Sequence, residues 1–292
     1  MSLYLHESIT PNIIREAASA GIRGVKSYPA GVTTNSSSGV VDYKSFYPVF
    51  RTMEEVGLTL NLHGESPPSA SGDITVLNAE ASFLPTLHAL HAEFPKLKII
   101  LEHCTTAAAI QAVQTCGPNV AATITAHHLF LIVDDWAGDP INFCKPVAKL
   151  PSDRDALLRT AMSGNPKFFL GTDSAPHLLR AKKGGMGAHV GKCAAGVFTQ
   201  PYATQLVLEA FEMAITKGMV SREEVSEQVV RGFLGEFGRS FYGVAESKRK
   251  IRVSAGEEKV VESLSMQGEG MGSEDIVVPF RRGEPIYSLE WI

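Results

Sequence analysis

The sequence predicts an α/β fold in which a parallel sheet is covered by helices on its outer side. Short apolar runs alternate with segments of helical apolar spacing, so that five strand–helix units follow a short first strand. The strand-like runs are continuous and apolar, as in strands that are buried on both faces. Polar residues follow several of these runs directly, at the strand ends where α/β folds place their chemistry.

Capping residues and glycines mark the helices in the first half of the chain. Thr10 and Pro11 predict the start of the first helix, and Gly21 predicts its end. Asp42 is expected to cap the second helix, which ends at Gly57. The other elements predicted in this half are strands over residues 3–6, 22–28, 58–65, 97–103 and 120–128, and helices over residues 78–94 and 105–114.

The second half begins with a helix that we expect Ser152 to cap. The segment Phe168–His177 follows, opening as an apolar strand, turning at Gly171 and then presenting Asp173. An aspartate at this position can also cap the next helix or hold a turn. The same design of a buried strand followed by a reactive side chain recurs upstream, which favours a functional role.

A glycine-rich, basic loop over residues 182–192 comes next. It lacks the Gly-Lys-Ser/Thr ending of a Walker motif, so we interpret it as a loop at the rim of the site. A helix over residues 200–218 follows, and Ser221 with Glu224 predicts a capping box for another helix.

Composition excludes several classes of protein. The 292 residues suffice for one large domain or two small ones, and a hydrophobic content of 44% supports a sizeable core. A net charge of -4 gives no basis for binding nucleic acid or an anionic membrane. No apolar run reaches the roughly 18 residues that span a bilayer, and the first residues are unlike a signal peptide. The four cysteines form no CxxC pair, which favours reduced thiols in a cytosolic protein.

Four predicted strands end in or near a side chain that can bind a metal or move a proton, namely Lys26, His63, His103 and Asp173. In a barrel, these strand ends converge on one mouth. Two imidazoles and a carboxylate suit zinc. A lysine that has lost its proton can react with carbon dioxide, and the two oxygens of the resulting carbamate can bridge two metals.

Each of these histidines and the lysine also has a structural interpretation. Histidines at strand ends are more often satisfied structural residues, and a lone lysine such as Lys26 more often pairs with a carboxylate. His88 and His91 are interpreted as the surface of a helix. His127 and His128 are expected at a strand end, where one of them can face the mouth.

Eight short motifs follow one another in the order seen in one known family. They are Val25–Ser36, Leu62–Glu65, Glu102–Thr106, Ala122–Thr125 with His128 and Leu129, Phe143–Pro146, Gly171–His177, Ala194–Gly196 and Val278–Phe280. Together they resemble the dihydroorotases of the stand-alone bacterial and fungal type, over nearly the whole chain. That family consists of metal-dependent TIM barrels of the amidohydrolase superfamily.

The resemblance implies a role for each matched metal-binding position. Lys26 is expected to be carboxylated and to bridge two zinc ions, with His63 and His103 on the second ion. Asp173 is expected to bind the first ion and to act as general base and then as general acid.

The resemblance also implies the substrate contacts. His177 and the backbone of Ala195 are expected to hold the substrate carboxylate, and the backbone of Lys145 to contact the ring. Thr33 and Thr34 are expected on a loop that closes over the substrate. The implied reaction is the reversible cyclisation of N-carbamoyl-L-aspartate to L-dihydroorotate in pyrimidine biosynthesis, and the implied assembly is a homodimer.

The sequence departs from the family pattern at its start. The family opens with a His-x-His strand, an Arg close behind it and an Asn on the next unit, and this chain contains no His-x-His. We therefore expect an incomplete TIM-barrel-like fold that lacks the first two βα units. Residues 1–250 would hold the equivalents of barrel strands 3–8, and residues 251–292 would be a C-terminal extension packed on them. Such a sheet would expose two apolar edges.

Two other functions stay open on the sequence. A related amidohydrolase that acts on another cyclic amide is disfavoured by the Thr33–Thr34 loop and by Ala195. A catalytically silent homologue with a structural or regulatory role is favoured by the missing His-x-His. The retention of all four candidate metal-binding residues disfavours it.

Overall fold

The computed structural model describes the chain except for residues 33–35, 37, 70, 185–190, 267, 269–271 and 273–274. Strands and helices alternate through the first six strands, as predicted. None of the helices within these described ranges has the length and apolarity to cross a membrane. The elements in chain order are β1 (Ser2–Tyr4), α1 (Pro11–Ser19), β2 (Gly24–Ser27), α2 (Tyr47–Val56), β3 (Thr59–His63), α3 (Ala79–Glu93), β4 (Lys98–Glu102), α4 (Ala107–Thr115), β5 (Val120–Ile124), α5 (Val133–Gly138), α6 (Pro151–Ala161), β6 (Phe168–Leu170), α7 (Leu179–Lys182), α8 (Ala203–Thr216), α9 (Glu227–Arg231), α10 (Phe237–Tyr242), β7 (Ile251–Ser254), β8 (Leu264–Ser265), β9 (Ile276–Val277) and β10 (Ser288–Trp291).

The main sheet contains β1 to β6, which run parallel and pair in chain order. The register places Lys26 opposite Asn61 and His63 opposite Glu102. Because the strands share one direction, their carboxyl ends lie together at one end of the sheet. The predicted parallel α/β sheet is confirmed, and β1 and β6 are its edge strands in the described part of the chain.

One face of the sheet packs against the helices and forms the main core. Leu60 and Leu62 of β3 and Ile99 and Leu101 of β4 have no exposed surface in this core. Burying such a side chain stabilises the fold by about 1.5–3 kcal/mol. Because side chains alternate along a strand, a slip of one residue would expose this set, so the core fixes the register.

Helix α10 covers the amino-terminal part of the opposite face. The ring of Phe169 lies 6.0 Å from that of Phe241 and 6.4 Å from that of Tyr242. The Tyr242 hydroxyl donates to Asn61 Oδ1 (3.2 Å), and Lys98 Nζ donates to the carbonyl oxygen of Phe241 (2.7 Å). Aromatic packing therefore occupies this part of the face, and the carboxyl-terminal part is left for polar side chains.

Most predicted caps are confirmed. The Thr10 hydroxyl accepts a hydrogen bond from the Ile13 N–H (3.4 Å) at the start of α1. Gly57 ends α2 with a left-handed φ of 74°. Ser221 and Glu224 form the predicted capping box, although it encloses a short 3-10 turn rather than a full helix.

Two cap predictions need correction. Ser152 does not cap α6, because the helix already begins at Pro151 and the carboxylate of Asp153 accepts from the Leu150 N–H (3.3 Å). A proline fits the first helical position, where its missing N–H costs nothing. Asp42 caps a 3-10 turn that precedes α2, rather than the helix itself.

The last 42 residues add two small antiparallel pairs, β7 with β10 and β8 with β9. Phe280 is buried, and its N–H donates to the carbonyl oxygen of Phe198 (2.9 Å). The buried carboxylate of Asp275 pairs with Arg180 of α7 (2.9 Å). The extension thus packs on the preceding part of the chain, and the domain boundary at residue 250 stays a prediction.

A buried carboxylate ties α3 to the loop after β4. Glu80 is 2% exposed and accepts hydrogen bonds from the Thr105 N–H (2.8 Å) and the Thr106 hydroxyl. Burial raises the pKa of Glu80 from 4.5 to about 7, although the nearby Lys149 ammonium and these hydrogen bonds oppose the shift. Between these two values the folded state binds more protons than the unfolded chain, so stability decreases as the pH rises.

We expect the substitution Glu80→Gln to remove this pH dependence. The shift corresponds to roughly 3 kcal/mol. Between about pH 4 and pH 8, the free energy of unfolding of the wild type should therefore fall by about that much more than that of the variant. Urea denaturation at several pH values measures the difference, and Glu93→Gln, at the exposed end of the same helix, is the control. If the free energy of unfolding changed with pH equally in the wild type and in Glu80→Gln, the raised pKa of Glu80 would be contradicted.

Candidate metal centre

Four strands deliver the predicted metal-binding side chains to one end of the sheet. Lys26 lies within β2, and His63 is the last residue of β3. His103 directly follows β4, and Asp173 comes three residues after β6. Each position lies at or just beyond a carboxyl end, where the sequence analysis placed it.

These side chains come together on the inner face. The His63 and His103 rings lie 4.6 Å apart between centroids and are nearly perpendicular, at 69°. Tyr28 lies between the histidines and Lys26, with its ring centroid 5.7 Å from that of His63 and 4.9 Å from Lys26 Nζ. Burial has the largest effect on the pKa values of both histidines and of Asp173, and the nearby charge of Lys26 also favours the unprotonated form of each. The four residues therefore lie close together, and their use as metal ligands stays a prediction.

Lys26 has a partner that sequence reasoning missed. Its ammonium forms an ion pair with the carboxylate of Glu102, the last residue of β4. The ion pair also matches the structural interpretation that a lone lysine pairs with a carboxylate. The available signal was the alternation along β4, which puts Glu102 on the same face as Ile100, away from the core residues Ile99 and Leu101.

A second carboxylate orients His63. Glu65 Oε2 lies 2.9 Å from His63 Nε2, and both residues are almost fully buried. The acceptor fixes the proton on Nε2, so that Nδ1 carries the lone pair and can bind a cation. Burial lowers the pKa of His63, with the nearby Glu65 carboxylate opposing the shift, so the ring is neutral at neutral pH.

His103 is held in a strained conformation with one nitrogen unsatisfied. Its φ is 44°, which is rare for residues other than glycine, and its N–H donates to Thr123 Oγ1 (2.8 Å). Burial, followed by the charges of His63 and Lys26, holds the pKa of His103 well below its usual range. Its Nδ1 is buried without a partner among the described residues, which is costly unless a cation occupies that direction.

Asp173 shares this strain, with a φ of 40°. The turn that carries it needs a glycine before it, since a Cβ on Gly171 would lie 2.6 Å from Thr123. Burial raises the pKa of Asp173 to about 7; Lys26 lowers it and Glu102 raises it further. Burial thus favours the protonated form of this carboxyl group relative to an exposed aspartate.

The donor set fits a divalent metal. Neutral imidazoles from His63 and His103 and the carboxylate of Asp173 are nitrogen and oxygen ligands of the kind that zinc takes. The unsatisfied Nδ1 of His103 supports this use, as does the His63 tautomer that the hydrogen bond to Glu65 selects.

The predicted substrate contacts lie on the loops that follow β5 and β6. His177 Nε2 is 3.0 Å from the carbonyl oxygen of Ala195. Lys145 Nζ donates to the carbonyl oxygen of Val32 (2.7 Å), at the start of the segment that holds the predicted closing loop. Thr33 and Thr34 themselves lie outside the described residues.

Four other histidines lie on a helix or in a turn rather than among the candidate metal ligands. His88 is exposed and His91 is half-buried, which confirms that they lie on the surface of α3. His127 and His128 are buried in a 3-10 turn, because β5 ends at Ile124 rather than at residue 128. Neither is one of the four side chains that converge at the candidate centre.

Comparisons with known proteins identify the family of this chain. The family described as "Amidohydrolase" matches residues 6–156. The dihydroorotase of Saccharomyces cerevisiae is 45% identical over 309 residues, which cover 100% of this chain and 80% of that protein. A probable dihydroorotase of Schizosaccharomyces pombe is 54% identical over 242 residues, which cover 83% of this chain and 66% of that protein.

A solved structure has the same fold. The crystal structure of Saccharomyces cerevisiae dihydroorotase in complex with 5-fluoroorotic acid superposes with a TM-score of 0.87 at 44% identity, covering 100% of this chain and 80% of that one. Sequence and structure therefore agree on an α/β fold of the TIM-barrel type. This chain belongs to the dihydroorotase family of the amidohydrolases, which are metal-dependent hydrolases of cyclic amides.

Proposed function

We propose that this chain acts as a zinc-dependent dihydroorotase, which interconverts N-carbamoyl-L-aspartate and L-dihydroorotate in pyrimidine biosynthesis. The observation that carries the proposal is the meeting of Lys26, His63, His103 and Asp173 at one end of the sheet. The relatives that cover the whole chain at about 40–45% identity carry the same name, which supports this substrate over another cyclic amide.

Lys26 would hold two zinc ions as a carbamate, with His63 and His103 on one ion and Asp173 on the other. When bound, the ions lower the pKa of water and polarise the substrate carbonyl. Carbamate formation would join the Lys26 nitrogen to carbon dioxide and release two protons from the starting ammonium. Glu102 is placed to accept one of them, since its carboxylate already pairs with Lys26, and the other would pass to solvent.

Asp173 would move the proton of the reaction. In the hydrolytic direction, water adds to the ring amide carbon and the carbon–nitrogen bond breaks. Asp173 takes a proton from the attacking water and returns it to the departing nitrogen. In the reverse direction the same carboxyl group takes the proton from the ureido nitrogen as the ring closes, and water leaves.

His177 and the backbone of Ala195 would hold the substrate carboxylate, and the backbone of Lys145 would contact the ring. Lys182 positions these loops, because its Nζ donates to the carbonyl oxygens of Phe143 (2.7 Å), Ala194 (2.8 Å) and Gly196 (2.8 Å). One buried ammonium thus fastens the loop around Lys145 to the loop around Ala195.

The state of the cysteines bears on the compartment in which the protein works. The four cysteines are free thiols, which favours a reducing compartment, and we place the protein in the cytosol. The homodimer remains a proposal that the family resemblance implies. A catalytically silent homologue is the alternative from another class, favoured by the absence of His-x-His.

The substitution Lys26→Ala should abolish turnover and reduce bound zinc. Mutation of a residue that only hydrogen-bonds to a metal ligand typically lowers metal affinity or activity by about ten- to a hundredfold. Loss of the bridging ligand itself should therefore lower activity by more than about a hundredfold. Zinc content by plasma mass spectrometry and hydrolysis of dihydroorotate are the measurements. Lys98→Ala is the control, since this lysine lies on the same face at the amino end of β4.

Three outcomes of this experiment are distinct. Turnover with zinc in the wild type, and loss of turnover with reduced zinc in Lys26→Ala, supports the enzyme. A wild type without zinc and without turnover supports the silent homologue. Normal zinc and a normal rate in Lys26→Ala would remove the carbamate assignment.

The substitution Lys182→Met should weaken substrate binding without removing zinc. It leaves three carbonyl oxygens without their donor, and each unsatisfied buried group costs about 1–3 kcal/mol. We expect the KM for dihydroorotate to rise roughly ten- to a hundredfold. Lys183→Met is the control, because the neighbouring lysine is exposed. Equal KM values in the two variants would show that Lys182 does not position the substrate loops.

A further inference from the structure

A second group of possible metal ligands lies outside the centre described above. His127 and His128, in the turn after β5, approach Cys144 of the loop that carries Lys145. All three side chains of the group are buried, and one ligand atom from each lies within 4.8 Å of the others. The group shares no residue with the set formed by the lysine, the two histidines and the aspartate.

The spacing of the atoms is close to that of a tetrahedral zinc site. Nε2 of His128 lies 3.6 Å from Cys144 Sγ, and the carbonyl oxygen of Pro146 lies 3.0 Å from that nitrogen and 3.3 Å from the sulfur. Zinc binds nitrogen and oxygen at about 2.0–2.2 Å and sulfur at about 2.3 Å, so its tetrahedral ligands lie about 3.3–3.6 Å apart. The distances among the His128, Cys144 and Pro146 atoms are within a few tenths of an ångström of that range, and a His127 nitrogen lies within 4.8 Å of the other two side-chain ligand atoms.

His127 supplies an independent observation. It is fully buried, and neither of its ring nitrogens has a hydrogen-bond partner among the described residues. Its ring centroid lies 4.4 Å from that of His128. A buried imidazole without any partner costs free energy, because both nitrogens lose their hydrogen bonds to water. A cation beside the ring would use one of its lone pairs.

The surroundings of His128 also suit coordination. Its Nδ1 lies 2.6 Å from Thr125 Oγ1. Nε2–H of His128 donates to the carbonyl oxygen of Pro146 (3.0 Å). Metal binding at Nε2 would require this proton to move to Nδ1, where Thr125 Oγ1 can accept it, a contact of the kind that orients a metal-binding histidine.

We propose that His127, His128 and Cys144, together with the carbonyl oxygen of Pro146, form an additional site for Zn²⁺. Binding forms a bond between the metal and the thiolate, releases the thiol proton to solvent and transfers no electron. Four protein ligands leave no open position, so the role is structural. The ion would fasten the turn after β5 to the loop of Lys145, close to the proposed substrate.

Cobalt substitution tests this site directly. Co²⁺ bound to a thiolate gives a charge-transfer absorption band in the near ultraviolet, and the set of Lys26, His63, His103 and Asp173 contains no sulfur. We expect the band in the wild-type protein saturated with Co²⁺. The substitution Cys144→Ser should remove it and lower the metal content by about one ion per chain, and His127→Gln should weaken it without touching the thiol.

The other cysteines provide the controls. The variants Cys116→Ser and Cys193→Ser should keep the full band, since neither residue belongs to the group. The wild-type measurement decides the proposal even if a variant fails to fold. A wild type without the band at saturating Co²⁺ would overturn the site. So would a band that persists in Cys144→Ser and disappears in one of the control variants.

Discussion

The parallel pairing of β2, β3, β4 and β6 within one sheet is the constraint on which the site depends. It brings together side chains that are far apart in sequence, from Lys26 to Asp173. Apolar packing on the outer face maintains the register, through residues such as Leu62 and Leu101. Because a one-residue slip would turn Lys26 and His63 toward the helices, the stability of the core and the geometry of the site are linked.

Burial gives the site its chemical properties. It raises the pKa of Asp173 and lowers those of His63 and His103, so that an acid holds its proton more tightly and two bases stay neutral. Burying ionisable groups costs free energy, and the carboxylates of Glu102 beside Lys26 and Glu65 beside His63 offset part of that cost. The left-handed backbone at His103 and Asp173 is strained. Both residues keep this conformation because the surrounding sheet and turns fix their positions.

The sequence allowed the strand ends and their reactive side chains to be predicted, because a buried strand followed by a polar residue is a local pattern. Glu102 was missed because its pairing with Lys26 depends on how β4 lies relative to β2, across β3, whereas the alternation along β4 shows only which face Glu102 occupies. The family motif included Glu65, but its hydrogen bond to His63 required coordinates. The strand predicted over residues 120–128 was too long, since the turn that buries His127 is held by tertiary packing.

The most direct test of the central claim is anomalous diffraction at the zinc edge from crystals of the protein grown with zinc and bicarbonate. We expect anomalous density between Lys26 and the rings of His63 and His103, with a carbamate on the lysine and with Asp173 turned toward the metal. Side chains in the same places without anomalous density among them, in crystals that contain zinc elsewhere, would contradict the claim that these strand ends form a metal centre.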